Sequence, residues 1–351
     1  MQGEPRVDGR QHADAIRDLK KRWGPELILL AHHYQRPEVA ALGDRLGDSY
    51  ELARDARDAR EARFIVFCGV RFMAEAAEVL RRDEQVVLHP EPSAGCPLAD
   101  FASVEQATEA WRGLSEILGD ESALMPLVYM NSSAGMKAFT GARGGAVCTS
   151  SNAPRAFEWG LRQRRAVLFM PDEHLGRNTC RKLGLAPREI VLYDPYTPGG
   201  GLEPERIRAA RAVLWKGYCH VHTAFTVEDV AWAREKHPEG RILVHPECPE
   251  PVVACVDGSG STSYLVREVA AAAPGSTLII GTEVSLVDRL AAEHADRKVL
   301  PLRRSLCFNM SRITLAHVRA VCEALPGGEP LCLPEEVKRD AFKALERMLA
   351  I

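Results

Sequence analysis

The sequence predicts an α/β protein built from three similar units, each with a parallel sheet covered by helices on both faces. Short apolar runs rich in Val, Ile and Leu recur along the chain and stop at polar loops that often contain His or Gly. Uninterrupted runs of this length are typical of strands that are buried on both faces. A helical stretch follows most runs, and such alternation indicates parallel strands joined by right-handed crossovers.

Nine apolar runs are predicted as strands, and amphipathic stretches between them are predicted as helices. The strand predictions are 27–34, 64–70, 86–91, 125–131, 145–150, 166–172, 214–222, 241–247 and 277–283, in three groups of three. The clearest helical stretches are 49–60, 104–118, 227–237 and 286–295, with a leading helix in residues 1–24 and a trailing one over 335–349.

Three of the strand ends resemble one another, which indicates an internal repeat. They are HPE at 89–91, MPD at 170–172 and HPE at 245–247. A recurring spacing of about 75–80 residues predicts three copies of one α/β unit, although any α/β protein produces strand ends of similar composition. The expected divisions are an N-terminal extension over 1–24, units over 25–100, 101–195 and 196–312, and C-terminal helices in 313–351 that pack on the first unit.

Charge and composition exclude several classes of protein. The 351 residues include 45 basic and 48 acidic side chains, a net charge of −3, so we expect neither nucleic acid nor a membrane surface as a partner. No apolar run approaches the roughly 18 residues that a membrane crossing needs. The N-terminal segment is charged throughout and does not resemble a secretory signal. We therefore expect a cytoplasmic protein, in which disulfides are disfavoured.

Polar side chains collect where the predicted strands end, which is where open parallel sheets bind ligands. Three repeats with these ends facing one another would enclose a central polar site. Ser49 follows Gly47 and Asp48 and is predicted to cap a helix whose N-terminus could attract phosphate or carboxylate, or to be a plain cap. The other polar residues at these ends are His32, His33, Tyr34, Tyr129, Asn131, Thr149, Ser150, His220, His222, His245 and Glu247.

The ten cysteines contain no CxxC pair, so zinc ribbons and thioredoxin-like pairs are excluded. Cys96, Cys219 and Cys307 lie in predicted loops far apart in the sequence and could converge on an iron–sulfur cluster. Ten cysteines allow many other triples, so spacing alone leaves alternatives open. They are a zinc-dependent hydrolase or lyase using Cys219, His222 and His245, and a non-catalytic iron–sulfur sensor.

Longer motifs run along most of the chain. They are AHHYQ (31–35), GDS (47–49), CGVRFMAE (68–75), AGCPLAD (94–100), VYMNSSAGMKA (128–138), VCTSSNA (147–153), MPDEHLG (170–176), WKGYCHVH (215–222), HPEC (245–248), GST (260–262), IIGTE (279–283) and CFNM (307–310). Together they cover roughly residues 28–325. In these motifs and in their order, the sequence resembles the quinolinate synthase family of de novo NAD biosynthesis.

The resemblance implies three homologous units around a pseudo-threefold axis with the active site at the centre. It implies a [4Fe–4S] cluster held by Cys96, Cys219 and Cys307, with one iron left open as a Lewis acid for dehydration. The family reaction condenses iminoaspartate with dihydroxyacetone phosphate to give quinolinate, phosphate and water. L-Aspartate oxidase or aspartate dehydrogenase would supply the imine, which makes either a possible functional partner.

The resemblance also implies roles for individual residues. Tyr34 and Glu247 match acid–base positions, and His32 and His245 match positions that bind an anion or move protons. His33 falls at a variable position and is assigned no role. The remaining substrate-binding positions are matched by Ser49, Tyr129, Met130, Asn131, Thr149, Ser150, His222, Pro246 and Thr262.

Overall fold

The structure is a computed structural model, and it describes residues 9–351. The described chain has an α/β fold with three parallel sheets of four, five and four strands, flanked by helices, which confirms the predicted fold class. It divides into two compact units. The first extends to Gly95 and includes Cys307–Cys332; the second consists of Cys96–Leu306 and Leu333–Ile351.

Strands and helices alternate along most of the described chain. The strands are β1 (Leu27–His32), β2 (Arg45–Gly47), β3 (Phe64–Cys68), β4 (Val86–Leu88), β5 (Leu124–Tyr129), β6 (Ala146–Cys148), β7 (Ala166–Met170), β8 (Ile190–Tyr193), β9 (Ala212–Trp215), β10 (Arg241–Val244), β11 (Gly258–Ser259), β12 (Thr277–Gly281) and β13 (Lys298–Pro301). The helices are α1 (Gly9–Trp23), α2 (Pro37–Ala40), α3 (Ser49–Asp58), α4 (Arg71–Leu80), α5 (Val104–Leu118), α6 (Ala134–Ala142), α7 (Ala153–Gln163), α8 (Glu173–Lys182), α9 (Pro204–Ala209), α10 (Val227–Lys236), α11 (Glu250–Ala254), α12 (Thr262–Ala271), α13 (Val284–Glu293), α14 (Leu315–Glu323) and α15 (Glu335–Ala350).

The first unit contains one sheet with strand order β2-β1-β3-β4. All of its strand pairs are parallel, and β1 and β3 are the central strands. Its core joins the two central strands to α1 and α14, with Ile16, Leu29, Phe64 and Val318 buried together. The part of the leading-helix prediction that falls on residues 1–8 lies outside the described residues.

The second unit contains two sheets with strand orders β6-β5-β7-β9-β8 and β11-β10-β12-β13. Every pairing in both is parallel, so the carboxyl ends of the strands in each sheet lie along one edge. The strand at the middle of the five-stranded sheet, β7, is completely buried. The polar segments that follow β5, β6, β9 and β10 supply most of the candidate site.

Each of the nine predicted strand runs contains a strand, but the boundary at 195/196 does not follow the sheets. β9 pairs with both β7 and β8, so the five-stranded sheet continues past that boundary. The run predicted over 214–222 is strand only to Trp215, and the rest is loop. Gly217 lies at the start of this loop and closely approaches the Pro171 carbonyl oxygen. A Cβ there would lie 2.3 Å from that oxygen, so only glycine permits the approach.

The two C-terminal helices separate, which corrects the expectation that residues 313–351 pack together on the first repeat. α14 packs on α1, but α15 packs on α6 and β6 of the second unit. Gly141 in α6 makes this contact possible, because a Cβ there would lie 1.9 Å from the Asp340 carbonyl oxygen. Asn152 also donates to the Met348 carbonyl oxygen at 3.3 Å.

The helices of residues 9–351 include none with the combined length and apolar character that a membrane crossing requires.

Candidate active site

Two sheets of the second unit meet at a buried carboxylate, Glu247. Tyr129 is the last residue of β5, and Glu247 lies three residues beyond β10. The Tyr129 hydroxyl donates to Glu247 Oε1 at 2.5 Å. His222, in the loop after β9, has its Nδ1 2.6 Å from Glu247 Oε2. Both carboxylate oxygens therefore have a short hydrogen-bond partner, one at the end of β5 and the other in the loop after β9.

Two further side chains extend this buried network. The Nε2 atom of His222 lies 3.2 Å from Thr282 Oγ1, in the loop after β12. Because a carboxylate only accepts hydrogen bonds, Nδ1 of His222 carries the hydrogen that faces Glu247. The His245 ring stacks on the His222 ring with centroids 4.4 Å apart, and its Nε2 lies 3.2 Å from Ser150 Oγ. The result is a continuous set of polar contacts across both sheets.

Two buried carboxyl groups in this unit have pKa values displaced in opposite directions. Burial alone would raise the pKa of Glu247, but the charges of His222 and His245 and hydrogen bonds from His222 and Tyr129 lower it to about 2. Asp172 follows β7 and is completely buried. Its burial, followed by the charge of Glu247, raises its pKa well above the usual value. At neutral pH Glu247 is therefore ionised, whereas the surroundings of Asp172 favour its protonated form.

The loops after β5 and β6 carry the next group of expected residues. Met130 is buried and bonds through its N–H to the Cys148 carbonyl oxygen at 2.7 Å, while Asn131 is half-buried. Lys137, fully buried in α6, donates to the Met130 carbonyl oxygen at 2.9 Å and to that of Ser132. Thr149 is buried and its N–H donates to Asn152 Oδ1 at 2.8 Å. These contacts fix the main chain beside Tyr129 and Ser150.

Pro246 and Thr262 follow strands β10 and β11 of the four-stranded sheet in the same unit. Pro246 is half-buried directly before Glu247, and Thr262 is buried as the first residue of α12. His220 is exposed, unlike the other strand-end histidines of this unit, and so lies apart from the buried network.

The remaining expected site residues belong to the first unit. His32 ends β1 and is buried, and its ring meets the Tyr34 ring edge-on with centroids 4.8 Å apart. The prediction that Ser49 caps a helix is wrong, because Asp48 caps α3 by accepting from the N–H groups of Tyr50 and Glu51 at 2.9 and 3.0 Å. Ser49 is instead the first helical residue of α3 and is half-buried. Asp and Ser are about equally favourable N-cap residues, and the two stand next to each other here, so the sequence could not decide between Asp48 and Ser49.

The environments of the ten cysteines separate the three expected ligands from the rest. Five thiols are buried, and burial raises their pKa, to about 12 at Cys180 and about 11 at Cys322. Cys255 and Cys332 are exposed, and the half-buried cysteines of the described chain are Cys96, Cys219 and Cys307. A thiolate binds metal and a buried thiol resists ionisation, so the half-buried set has the chemistry that a cluster needs.

Within the second unit, the segments that carry Cys96 and Cys219 pack against each other. The Phe101 and Tyr218 rings lie with centroids 5.0 Å apart, and Trp215 Nε1 donates to the Phe101 carbonyl oxygen at 2.7 Å. Cys307 belongs to the first unit.

One compact group in the second unit could hold a single metal ion. Potential ligand atoms of Cys219, His222 and Glu247 all lie within 4.8 Å of one another. The zinc alternative considered from the sequence used Cys219 and His222 with His245. In the structure the third potential metal ligand is Glu247 instead of His245. The His245 ring is stacked on the His222 ring.

Four residues of this region were missed as site residues from the sequence: Asp172, Thr282, Asn178 and Lys137. Asp172 and Thr282 occupy the same strand-end positions as the predicted residues, so the same rule could have found them. Asn178 and Lys137 lie inside helices, where a polar residue is usually solvent-exposed. Their contacts depend on the packing of helices on sheets, and no sequence signal identified them.

Comparison with known proteins shows close similarity over nearly the whole chain. The family model described as "Quinolinate synthetase A protein" matches residues 14–350. A quinolinate synthase of Streptomyces coelicolor is 46% identical over 343 residues, covering 95% of this chain and 87% of the relative. Those of a Geobacillus species and of Corynebacterium glutamicum are each 43% identical over 341 residues, covering 96% of this chain and 92% and 86% of the relatives.

Proposed function

The chain belongs to the quinolinate synthetase A family of NAD biosynthesis, and we propose that its buried Tyr129–Glu247–His222 network performs the proton transfers that form quinolinate. The substrates proposed are iminoaspartate and dihydroxyacetone phosphate, with phosphate and water as the other products. The observation that supports this most is the ionised, fully enclosed Glu247, held by two short hydrogen bonds. Ionised at neutral pH and enclosed away from water, Glu247 can accept a proton from a bound substrate.

The chemistry needs both proton removal and proton delivery. Closing an aromatic ring from the two substrates requires that protons leave carbon and that hydroxyl groups depart as water. Glu247 accepts a proton, since it is the ionised group of the network. The Tyr129 hydroxyl donates to Glu247 and can return a proton to the substrate side, and His222 can carry one between Glu247 and Thr282.

Recognition of the anionic substrates is proposed for the neutral donors around this network. Ser150, Asn131 and Thr262 offer hydroxyl and amide groups, and His245 lies against Ser150 at 3.2 Å. Met130, Thr149 and Pro246 would shape the walls through their main chain. The family resemblance also implies substrate-binding roles for His32 and Ser49 and an acid–base role for Tyr34, and we propose these roles for them.

We propose that Cys96, Cys219 and Cys307 hold a [4Fe–4S] cluster. Their half-buried thiols and the packing between the segments of Cys96 and Cys219 support this assignment. A cluster held by three thiolates keeps one iron open, and when bound it would supply a Lewis acid that eases the departure of hydroxide. The proposed location is a reducing compartment such as the cytoplasm, where thiols persist and where an aspartate oxidase or dehydrogenase could supply the imine.

A direct assay tests the proposal. Protein purified without oxygen is mixed with dihydroxyacetone phosphate and with iminoaspartate formed in place from oxaloacetate and ammonia, and quinolinate is measured by chromatography. We expect quinolinate and phosphate in equal amounts. Substrates that are consumed without quinolinate, or no reaction by protein with a full complement of iron and sulfide, would contradict the proposal.

The group of Cys219, His222 and Glu247 supports a second candidate, a zinc-dependent hydrolase or lyase. Metal analysis separates the two functions. One zinc ion per chain with no acid-labile sulfide would favour the second candidate, and iron with an equal amount of sulfide would exclude it.

A further inference from the structure

Helix α8 packs on the five-stranded sheet. One of its side chains, Asn178, reaches the turn after β10 that contains Glu247. Asn178 Nδ2 donates to the carbonyl oxygens of Pro246 and Cys248, both at 2.8 Å. These residues directly precede and follow Glu247. A single buried amide group therefore holds the main chain on both sides of the carboxylate.

The segment has few other restraints of equal quality. Pro246 has no N–H group to donate. The Glu247 N–H reaches His245 Nδ1 only at 3.4 Å, near the upper limit of a hydrogen bond. The Cys248 N–H bonds within the turn, to the His245 carbonyl oxygen at 3.0 Å. Within the second unit, Asn178 thus bonds the main chain of this turn to α8, in addition to the bonds that the Glu247 side chain makes to Tyr129 and His222.

The position of the turn matters because Glu247 makes two short bonds to groups on the five-stranded sheet. Its oxygens lie 2.5 Å from Tyr129 Oη and 2.6 Å from His222 Nδ1. A shift of the turn by a fraction of an ångström would lengthen both contacts together. α8 packs on the five-stranded sheet that contains Tyr129, so a bond from α8 fixes the carboxylate relative to its own partners.

We propose that Asn178 is a positioning residue of the active site, which holds Glu247 in reach of Tyr129 and His222. The inference rests on the proposed role of Glu247 as the base. Asn178 is buried and sits beyond the network itself, so it acts through Glu247 rather than on the substrate. Replacing its amide would leave two buried carbonyl groups without that donor, and the turn would move to recover one.

Two substitutions test the role. Asn178→Leu removes both hydrogen bonds at similar volume, and Asn178→Asp keeps the shape but removes the donor. We expect kcat to fall by about 10- to 100-fold, as for a misplaced catalytic group, with KM and the iron and sulfide content unchanged. Thr179→Val is the matched control, because it is the next residue of α8 and equally buried, and it should keep the wild-type kcat.

A double-mutant cycle separates positioning from general damage to the fold. Asn178→Leu should slow the wild-type enzyme but not the Glu247→Gln variant, because the group that it positions is already disabled. The same factor in both backgrounds, or a wild-type kcat in both Asn178 variants, would overturn the proposal.

A crystal structure of the Asn178→Leu variant gives a readout that does not depend on activity. We expect the Glu247 carboxylate to have moved away from Tyr129 and His222, and an unmoved carboxylate would overturn the inference. If the wild-type chain makes no quinolinate, the proposed function fails, but this structural comparison still decides whether Asn178 holds the turn.

Discussion

At the scale of single residues, the second unit holds two buried carboxyl groups whose pKa values are displaced in opposite directions. Glu247 is ionised because two histidines and a tyrosine surround it. The pKa of Asp172 is raised well above its usual value because the group is enclosed and lies near the charge of Glu247, and the hydrogen bond that it accepts from the Leu175 N–H at 2.7 Å opposes that shift. Such a divergence lets a site hold a base while a neighbouring carboxyl group stays neutral.

Glu247→Gln tests the base directly. The amide keeps the size of the side chain but cannot accept a proton, so kcat should fall by about two or more decades while the iron and sulfide content stays at the wild-type level. Steady-state quinolinate assays measure the rate. A variant that keeps near-normal turnover would remove Glu247 from the mechanism.

Tyr129→Phe tests the pH dependence. The Tyr129 hydrogen bond helps to hold the pKa of Glu247 at about 2, so its loss should raise that pKa. Because Glu247 must be ionised to act as a base, the acidic limb of the kcat/KM profile should move to higher pH in the variant. A profile measured between acid and neutral pH checks this, and a limb that stays in place or moves to lower pH would contradict it.

At the scale of elements, the apolar runs were sufficient to predict nine of the strands in the described chain. The four that were missed, β2, β8, β11 and β13, all lie at sheet edges. β2 and β11 are only three and two residues long, and β2 and β13 begin with exposed residues. None of these three strands has the continuous apolar run of a central strand. The position of α15 was missed because an amphipathic pattern indicates a buried face but not the surface that covers it.

Gly141→Ala tests the contact between α6 and α15. The added methyl group would meet the Asp340 carbonyl oxygen, so the two helices must separate, and we expect a loss of about 1–3 kcal/mol in the free energy of unfolding. Gly113→Ala in α5 is the control, since nothing lies within 4 Å of a Cβ there and the change should be neutral or stabilising. Denaturant unfolding measures both. Equal effects of the two substitutions would contradict the packing of α15.

At the scale of the whole molecule, the sequence predicted the fold class, the family and the kind of residue that lines the site. Strand ends gave Tyr129, Ser150, His222, His245 and Glu247, which the structure brings together in the second unit. The bonding among them could not be predicted, because it depends on how two sheets meet. The same holds for Asn178, which is an ordinary helical polar residue in the sequence.

Three of the ten cysteines are the proposed ligands of the cluster. Spacing alone left many triples, and the family resemblance selected Cys96, Cys219 and Cys307. The structure adds that these three are half-buried, whereas the other seven are either enclosed or exposed. Loss of any one of the three should therefore remove the cluster, since a vacant ligand position exposes the cluster to solvent and loss of iron.

Counts of iron and acid-labile sulfide in protein purified without oxygen decide whether this chain binds a [4Fe–4S] cluster. For the wild-type chain and for Cys255→Ala, whose thiol is exposed, we expect about four iron and about four sulfide ions per chain, the content of one [4Fe–4S] cluster. Cys96→Ala, Cys219→Ala and Cys307→Ala should each contain almost none. A Cys219→Ala protein that keeps its cluster, or a wild-type protein with one zinc ion and no sulfide, would contradict this expectation.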